Sequence, residues 1–201
     1  MSEVAGYSTQ IKISGAATEM TGETTTTADD TIYQITNAAK QVLDRDTAPT
    51  VLDGGVETVE DYTVNYLNGK ITFATNDETR VITVTGKYLP MSVAAYANQM
   101  SRSDNCDMLD TTVFGDTHKS RMAGLKSASG TLTNFYSADE VFGTALTAGV
   151  PIVIEDRTVS TDEPNRTWAL LDSSEVSAAV EGVQGQTVSW VSYDSWLRLG
   201  V

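Results

Sequence analysis

At 201 residues the chain has enough material for one well-cored domain with appended loops. Thirteen Lys and Arg stand against twenty-seven Asp and Glu, a formal net charge of −14, which disfavours functions that work by neutralising nucleic-acid phosphates. With a single cysteine, Cys106, and a single histidine, His118, the chain cannot close an internal disulfide and lacks the ligand set of a zinc centre.

The first ten residues, Met1 to Gln10, lack the basic start and apolar core of a signal peptide, and no run approaches the roughly 18 apolar residues of a membrane span. A soluble protein made in the cytosol is expected, without membrane insertion. Tyr7, Thr9, Ile11 and Ile13 alternate with polar residues between Gly6 and Gly15, the period of a half-buried strand. Residues 16–30, rich in Thr with Asp29-Asp30 at the end, are polar and low in complexity, and a mobile loop is expected there. Thr31 to Thr36 forms a short strand candidate; Asn37 to Asp46 is left open between a helical turn and an irregular crossing.

Asp61-Tyr-Thr-Val-Asn-Tyr-Leu-Asn-Gly-Lys-Ile-Thr-Phe73 carries the clearest local signal. Asn68-Gly69 suits a two-residue hairpin turn, which would set Leu67 opposite Lys70, Tyr66 opposite Ile71 and Val64 opposite Phe73. Tyr62, Val64, Tyr66, Ile71 and Phe73 then share one face. A strand over Arg80 to Tyr88 follows and ends near Pro90. Another runs from Lys126 to Tyr136, with Ala128, Gly130, Leu132 and Tyr136 on one side.

Ser137-Ala-Asp-Glu140 matches a capping box, and Val141, Phe142, Ala145 and Leu146 fall on one helical stripe ahead of Gly149. One helix over about 137–148 is expected. Strands over 150–155, 166–171, 174–180 and 186–193 complete the chain. Eight or nine strands, one flanking helix and a long extended loop or hairpin over about 104–126 make a mainly β protein, an antiparallel sandwich or barrel-like fold, in a single domain over 1–201.

Catalytic chemistry finds little footing. Any Ser-His-Asp or Cys-His mechanism must use His118, which lies among polar loop residues without a nucleophile-elbow sequence nearby. The acidic stretch Ser103 to Asp110 lacks the Gly at the sixth position and the Glu at the twelfth of a calcium loop. No phosphate-binding glycine motif occurs. No catalytic, metal or cofactor site is therefore expected.

Val113-Phe-Gly-Asp-Thr-His-Lys-Ser-Arg-Met-Ala-Gly-Leu-Lys126 stands apart, because it concentrates the histidine and three cations in an acidic chain. With its flanks, Asp110 to Tyr136 resembles the major tail tube proteins of long-tailed, siphovirus-type bacteriophages, which carry a Thr-Thr-Phe-Gly-Asp-like element, a short basic stretch, a Gly-Leu pair and a strand ending in an aromatic pair. Here Val113 is interposed before Phe114, and Asn134-Phe-Tyr-Ser137 replaces the commoner ending. Asp61 to Phe73 and Glu175 to Gly182 are similar to two further elements of that family, so the likeness spans roughly residues 31–195.

The resemblance implies a virion protein, made in the host cytoplasm, whose copies form hexameric rings stacked into a tube. Its partners would be itself and other tail proteins, such as tape measure, tail tip and terminator proteins. DNA would pass through the lumen on ejection without specific binding, and part of the acidity would face that lumen and repel phosphates. Phe114, Gly115, His118, Lys119, Arg121, Met122, Leu125 and Lys126 are the expected inter-subunit contacts, with the apolar side chains as anchors and the cations meeting a neighbour's carboxylates. The alternative is a carbohydrate-binding or adhesin-like sandwich, which would present Trp168, Trp190 or Trp196 in an open groove.

Overall fold

The computed structural model describes residues 10–58, 60–94, 97–115, 117–135, 141–157, 163–177 and 184–197. In chain order the strands are β1 (Gln10–Ser14), β2 (Thr18–Thr27), β3 (Ile32–Ile35), β4 (Thr50–Asp53), β5 (Val56–Glu57), β6 (Tyr62–Asn65) and β7 (Lys70–Phe73). They continue with β8 (Ile82–Tyr88), β9 (Met91–Val93), β10 (Ala97–Asp110), β11 (Arg121–Phe135), β12 (Ile152–Arg157), β13 (Asn165–Ser177) and β14 (Gly185–Leu197). Among the described residues one α-helix, α1 (Val141–Ala148), lies between β11 and β12. The strands make two seven-stranded sheets, ordered β10-β11-β14-β13-β12-β1-β9 and β5-β4-β8-β2-β3-β7-β6, and the mainly β, antiparallel class expected from the sequence is what forms. The chain gathers into two compact units, one from Met1–Val93, Val153–Thr167 and Trp196–Val201, the other from Ala94–Ile152 and Trp168–Ser195.

In the first unit the alternating residues of β2, β3, β4, β7 and β8 bury Met20, Tyr33, Ile35, Val51, Ile71, Phe73, Ile82 and Val84 in one cluster with Leu43. Tyr33 meets Phe73 edge-on at 5.6 Å between centroids, and the Arg80 guanidinium lies 4.4 Å from the Phe73 centroid. Arg80 is itself buried; it donates to the Thr75 carbonyl at 2.7 Å and pairs with Glu60. The open residues 37–46 contain a short 3-10 turn, Ala38–Lys40, capped by the Asn37 side chain, and an isolated bridge from Leu43 to Tyr88.

The 61–73 hairpin forms with its face as expected and its pairing moved by two residues. Tyr62 faces Phe73, Val64 faces Ile71 and Asn65 faces Lys70. The turn is therefore four residues long, Tyr66 to Gly69, closed by the Gly69 N–H on the Asn65 carbonyl at 2.8 Å. Two asparagines decide this: Asn65 Oδ1 accepts from the Leu67 N–H and Asn68 Oδ1 from the Lys70 N–H, both at 3.1 Å, and Leu67 is buried. An even shift preserves the faces, so Tyr62, Val64 and Tyr66 still pack on the core.

Two expectations are corrected. The segment 16–30 is not a loop over most of its length: Thr18–Thr27 is β2, paired with β8 on one side and β3 on the other. Low apolar content hid it, but Thr is β-branched and suits a strand, and of its ten residues only Met20 is fully buried. A bulge between Met20 and Glu23 carries Gly22. The separate strands at 166–171 and 174–180 are, within the described residues, one strand, β13. Asp172-Ser173-Ser174 continues the strand without a break, and Gln186 Nε2 donates to Ser174 Oγ at 2.9 Å.

A buried ion cluster also lies in the first unit. Glu155, 1% exposed, accepts from Arg166 at 2.8 Å and Arg157 at 3.0 Å and lies 3.3 Å from Lys12 Nζ. Arg166 also donates to the Leu67 carbonyl at 2.7 Å, so β1, β12, β13 and the 66–69 turn share one charged node. Burial pushes the Glu155 carboxyl up, but the Arg166 hydrogen bond and the charges of Arg166, Arg157 and Lys12 together leave it below the ordinary glutamate range.

In the second unit, α1 buries Phe142, and Gly149 follows its last residue at φ 63° with its N–H on the Leu146 carbonyl. The capping box at 137–140 lies outside the described residues. Ala128, Leu132, Val188 and Trp190 are buried and share one face of β11 and β14, Leu132 opposite Val188 and Gly130 opposite Trp190. A Cβ on Gly130 would collide with the Ser101 carbonyl and sit 2.7 Å from the Trp190 ring. The indole lies where that side chain would be, which is why a glycine stands in mid-strand.

Candidate assembly interface

The stretch singled out in the sequence is the upper half of one long hairpin. β10 and β11 pair from Ala97 opposite Asn134 out to Asp110 opposite Arg121, whereas the β11–β14 ladder runs only from Phe135–Gly185 to Ser129–Val191. Beyond Ser129 the ribbon has two strands among the described residues, and such a ribbon is marginal in water unless something covers it. A bulge sets Gly124 and Leu125 against Asp107; a Cβ on Gly124 would meet Asp107 at 3.2 Å.

Side chains hold the end of the ribbon. The Thr111 N–H donates to the Ser120 carbonyl at 2.9 Å, and the Ser120 N–H to Thr112 Oγ1 at 3.1 Å. The Thr112 hydroxyl and N–H both reach Asp110 Oδ1 and hold its carboxyl below the usual aspartate range. Gly115 takes φ 104° at the turn, a backbone that a β-carbon resists.

All eight expected contact residues, Phe114, Gly115, His118, Lys119, Arg121, Met122, Leu125 and Lys126, lie on this ribbon and its turn, and all are exposed. Phe114 is 112% exposed and Leu125 82%; Met122 is more than half exposed. His118 Nδ1 lies 3.0 Å from the Thr117 hydroxyl. The sequence reading missed Met108, Leu109 and Val113, which are also exposed, and Leu109 sits directly opposite Met122. The adjacent Met108-Leu109 pair in an otherwise polar run was the signal available. Six large apolar side chains are therefore exposed at one ribbon end, the kind of surface that interaction sites present.

Charge is partitioned along the same ribbon. In its two-stranded part β10 carries Asp104, Asp107 and Asp110, while the β11 side carries Lys119, Arg121 and Lys126; Arg102 lies nearer the base. The aromatic groove of the alternative reading loses two of its members, because Trp168 and Trp190 are 4% and 1% exposed; the Trp196 side chain lies outside those described. No helix among the described residues is long and apolar enough to cross a membrane.

No model of a known protein family matches the chain, and no curated protein matches it in sequence. Among the solved chains that overlap it in part are two from gene transfer agent particles. One comes from the tail of an empty gene transfer agent particle with C6 symmetry; it is 14% identical, with a TM-score of 0.48 over 54% of this chain and 85% of that one. The other comes from the virion of a native gene transfer agent particle and is 12% identical, with a TM-score of 0.47 over 53% of this chain and 86% of that one.

Proposed function

We infer that the chain is a structural subunit of a phage-like tail, the major tail tube protein, whose copies form hexameric rings stacked into a tube that conducts DNA. The observation that carries this reading is the two-stranded ribbon end with six uncovered apolar side chains. A ribbon of this kind gains its stability by packing against another molecule. The likeness of the Asp110–Tyr136 pattern to tail tube proteins supports a further copy as that molecule, and the acidity of the chain gives Lys119, Arg121 and Lys126 carboxylates to meet on it. The protein then acts by assembly and is not an enzyme; tape measure, tail tip and terminator proteins would bind the finished tube.

Negative-stain microscopy and sedimentation of the purified protein across a concentration series test this. Rings or tubes of regular width are the expected result. A protein that stays monomeric at every concentration and binds glycans would overturn it.

A further inference from the structure

The sheet face turned away from the second unit's buried residues has an unusual composition. Where β10, β11 and β14 run side by side, their register forms rungs: Ser101–Thr131–Ser189 and Gln99–Thr133–Thr187. Hydroxyls satisfy one another across these rungs, Ser101 Oγ to Thr131 Oγ1 at 2.8 Å and Thr133 Oγ1 to Thr187 Oγ1 at 3.4 Å. The other positions on this side over 99–106, 126–133 and 186–192 are serine, asparagine and valine. The charged residues of those stretches, Arg102, Asp104 and Lys126, all fall on the opposite side, with Trp190 and Leu132.

Charges ordinarily take the open face of a sheet, and over these stretches this open face carries none. A solvated face has no reason to exclude both signs, and a protein-binding face would carry aromatic or arginine anchors, which small hydroxyls cannot replace. A surface passed by a polyanion has reason to exclude both. A cation there would form a salt-dependent bond to each phosphate, and a carboxylate would raise a barrier to entry. Resting on the tube reading above, we propose that this hydroxyl face of β10, β11 and β14 lines the channel and faces duplex DNA. The lumen is then made non-adhesive by neutrality, and the acidity of the chain lies elsewhere. Sterics favour the same orientation, since side chains as small as serine and threonine leave a channel open while the bulk of the unit stays on the far side.

The test uses assembled tubes in a Cys106→Ser background. With Ser129→Cys, the free subunit should react with a small maleimide and with a maleimide on a globular carrier too wide for a tube; the assembled tube should react with the small reagent alone. Tubes of Thr131→Lys or Ser189→Lys should retain a short DNA duplex at low salt on the order of tenfold more than unmodified tubes, and release it as salt rises. Carrier labelling of the tubes, or no labelling by either reagent, overturns the proposal and leaves the tube standing, as do lysine tubes that retain no extra DNA. Absence of tubes from the unmodified protein overturns both.

Discussion

The two halves of the β10–β11 hairpin share one ladder and differ in everything else. Near the base, Ala128 and Leu132 are each 1% exposed and Trp190 covers Gly130; near the end, Leu125 and Phe114 stand free. Backbone pairing alone therefore does not decide where apolar side chains are buried; a third strand does. Where β14 pairs with β11 the ribbon is part of a core, and past the end of that pairing at Ser129–Val191 the same strand chemistry is exposed surface.

Substitutions can break that contrast from either end. Trp190→Ala at the base should cost about 3–5 kcal/mol of folding stability, measured by urea denaturation, because it empties a closed site. Glu155→Ala serves as a comparison in the other unit and should cost a similar amount, about 3–5 kcal/mol, since it strands the cations of Arg166 and its neighbours.

The same carboxylate sets a pH dependence. Its folded-state pKa lies below the unfolded one, so its contribution is fully present above the ordinary glutamate pKa and is lost as pH falls through the folded value. Denaturation midpoints measured from neutral to acid pH should fall in that window for the native chain and stay flatter for Glu155→Gln. At the ribbon end, Phe114→Ser with Leu125→Ser should leave the subunit's stability within about 0.5 kcal/mol and abolish assembly in microscopy. A melting temperature that falls as far as that of Trp190→Ala would show the two halves to be alike after all. Smallest of all, Lys119→Glu with Arg121→Glu should raise the concentration needed for assembly about tenfold, equivalent to about 1.4 kcal/mol, with the effect shrinking as salt is added.

The sequence by itself determined the faces. Alternation placed Tyr62, Val64, Ile71 and Phe73 on one side and Leu132 with Ala128 on another, because a strand's side chains repeat every two residues whatever their partners are. It also marked the ribbon end, through its rare cations and paired glycines. Pairing was another matter. The 66–69 turn was set by Asn65 and Asn68 side chains competing with the expected Asn-Gly turn, and β2 by two neighbouring strands that accept its threonines. The exposure of Met108 and Leu109 and the charge-free hydroxyl face were likewise decided by tertiary structure. Which residues lie opposite one another, and where pairing with a third strand ends, depend on segments distant in the chain, and no local pattern encodes them.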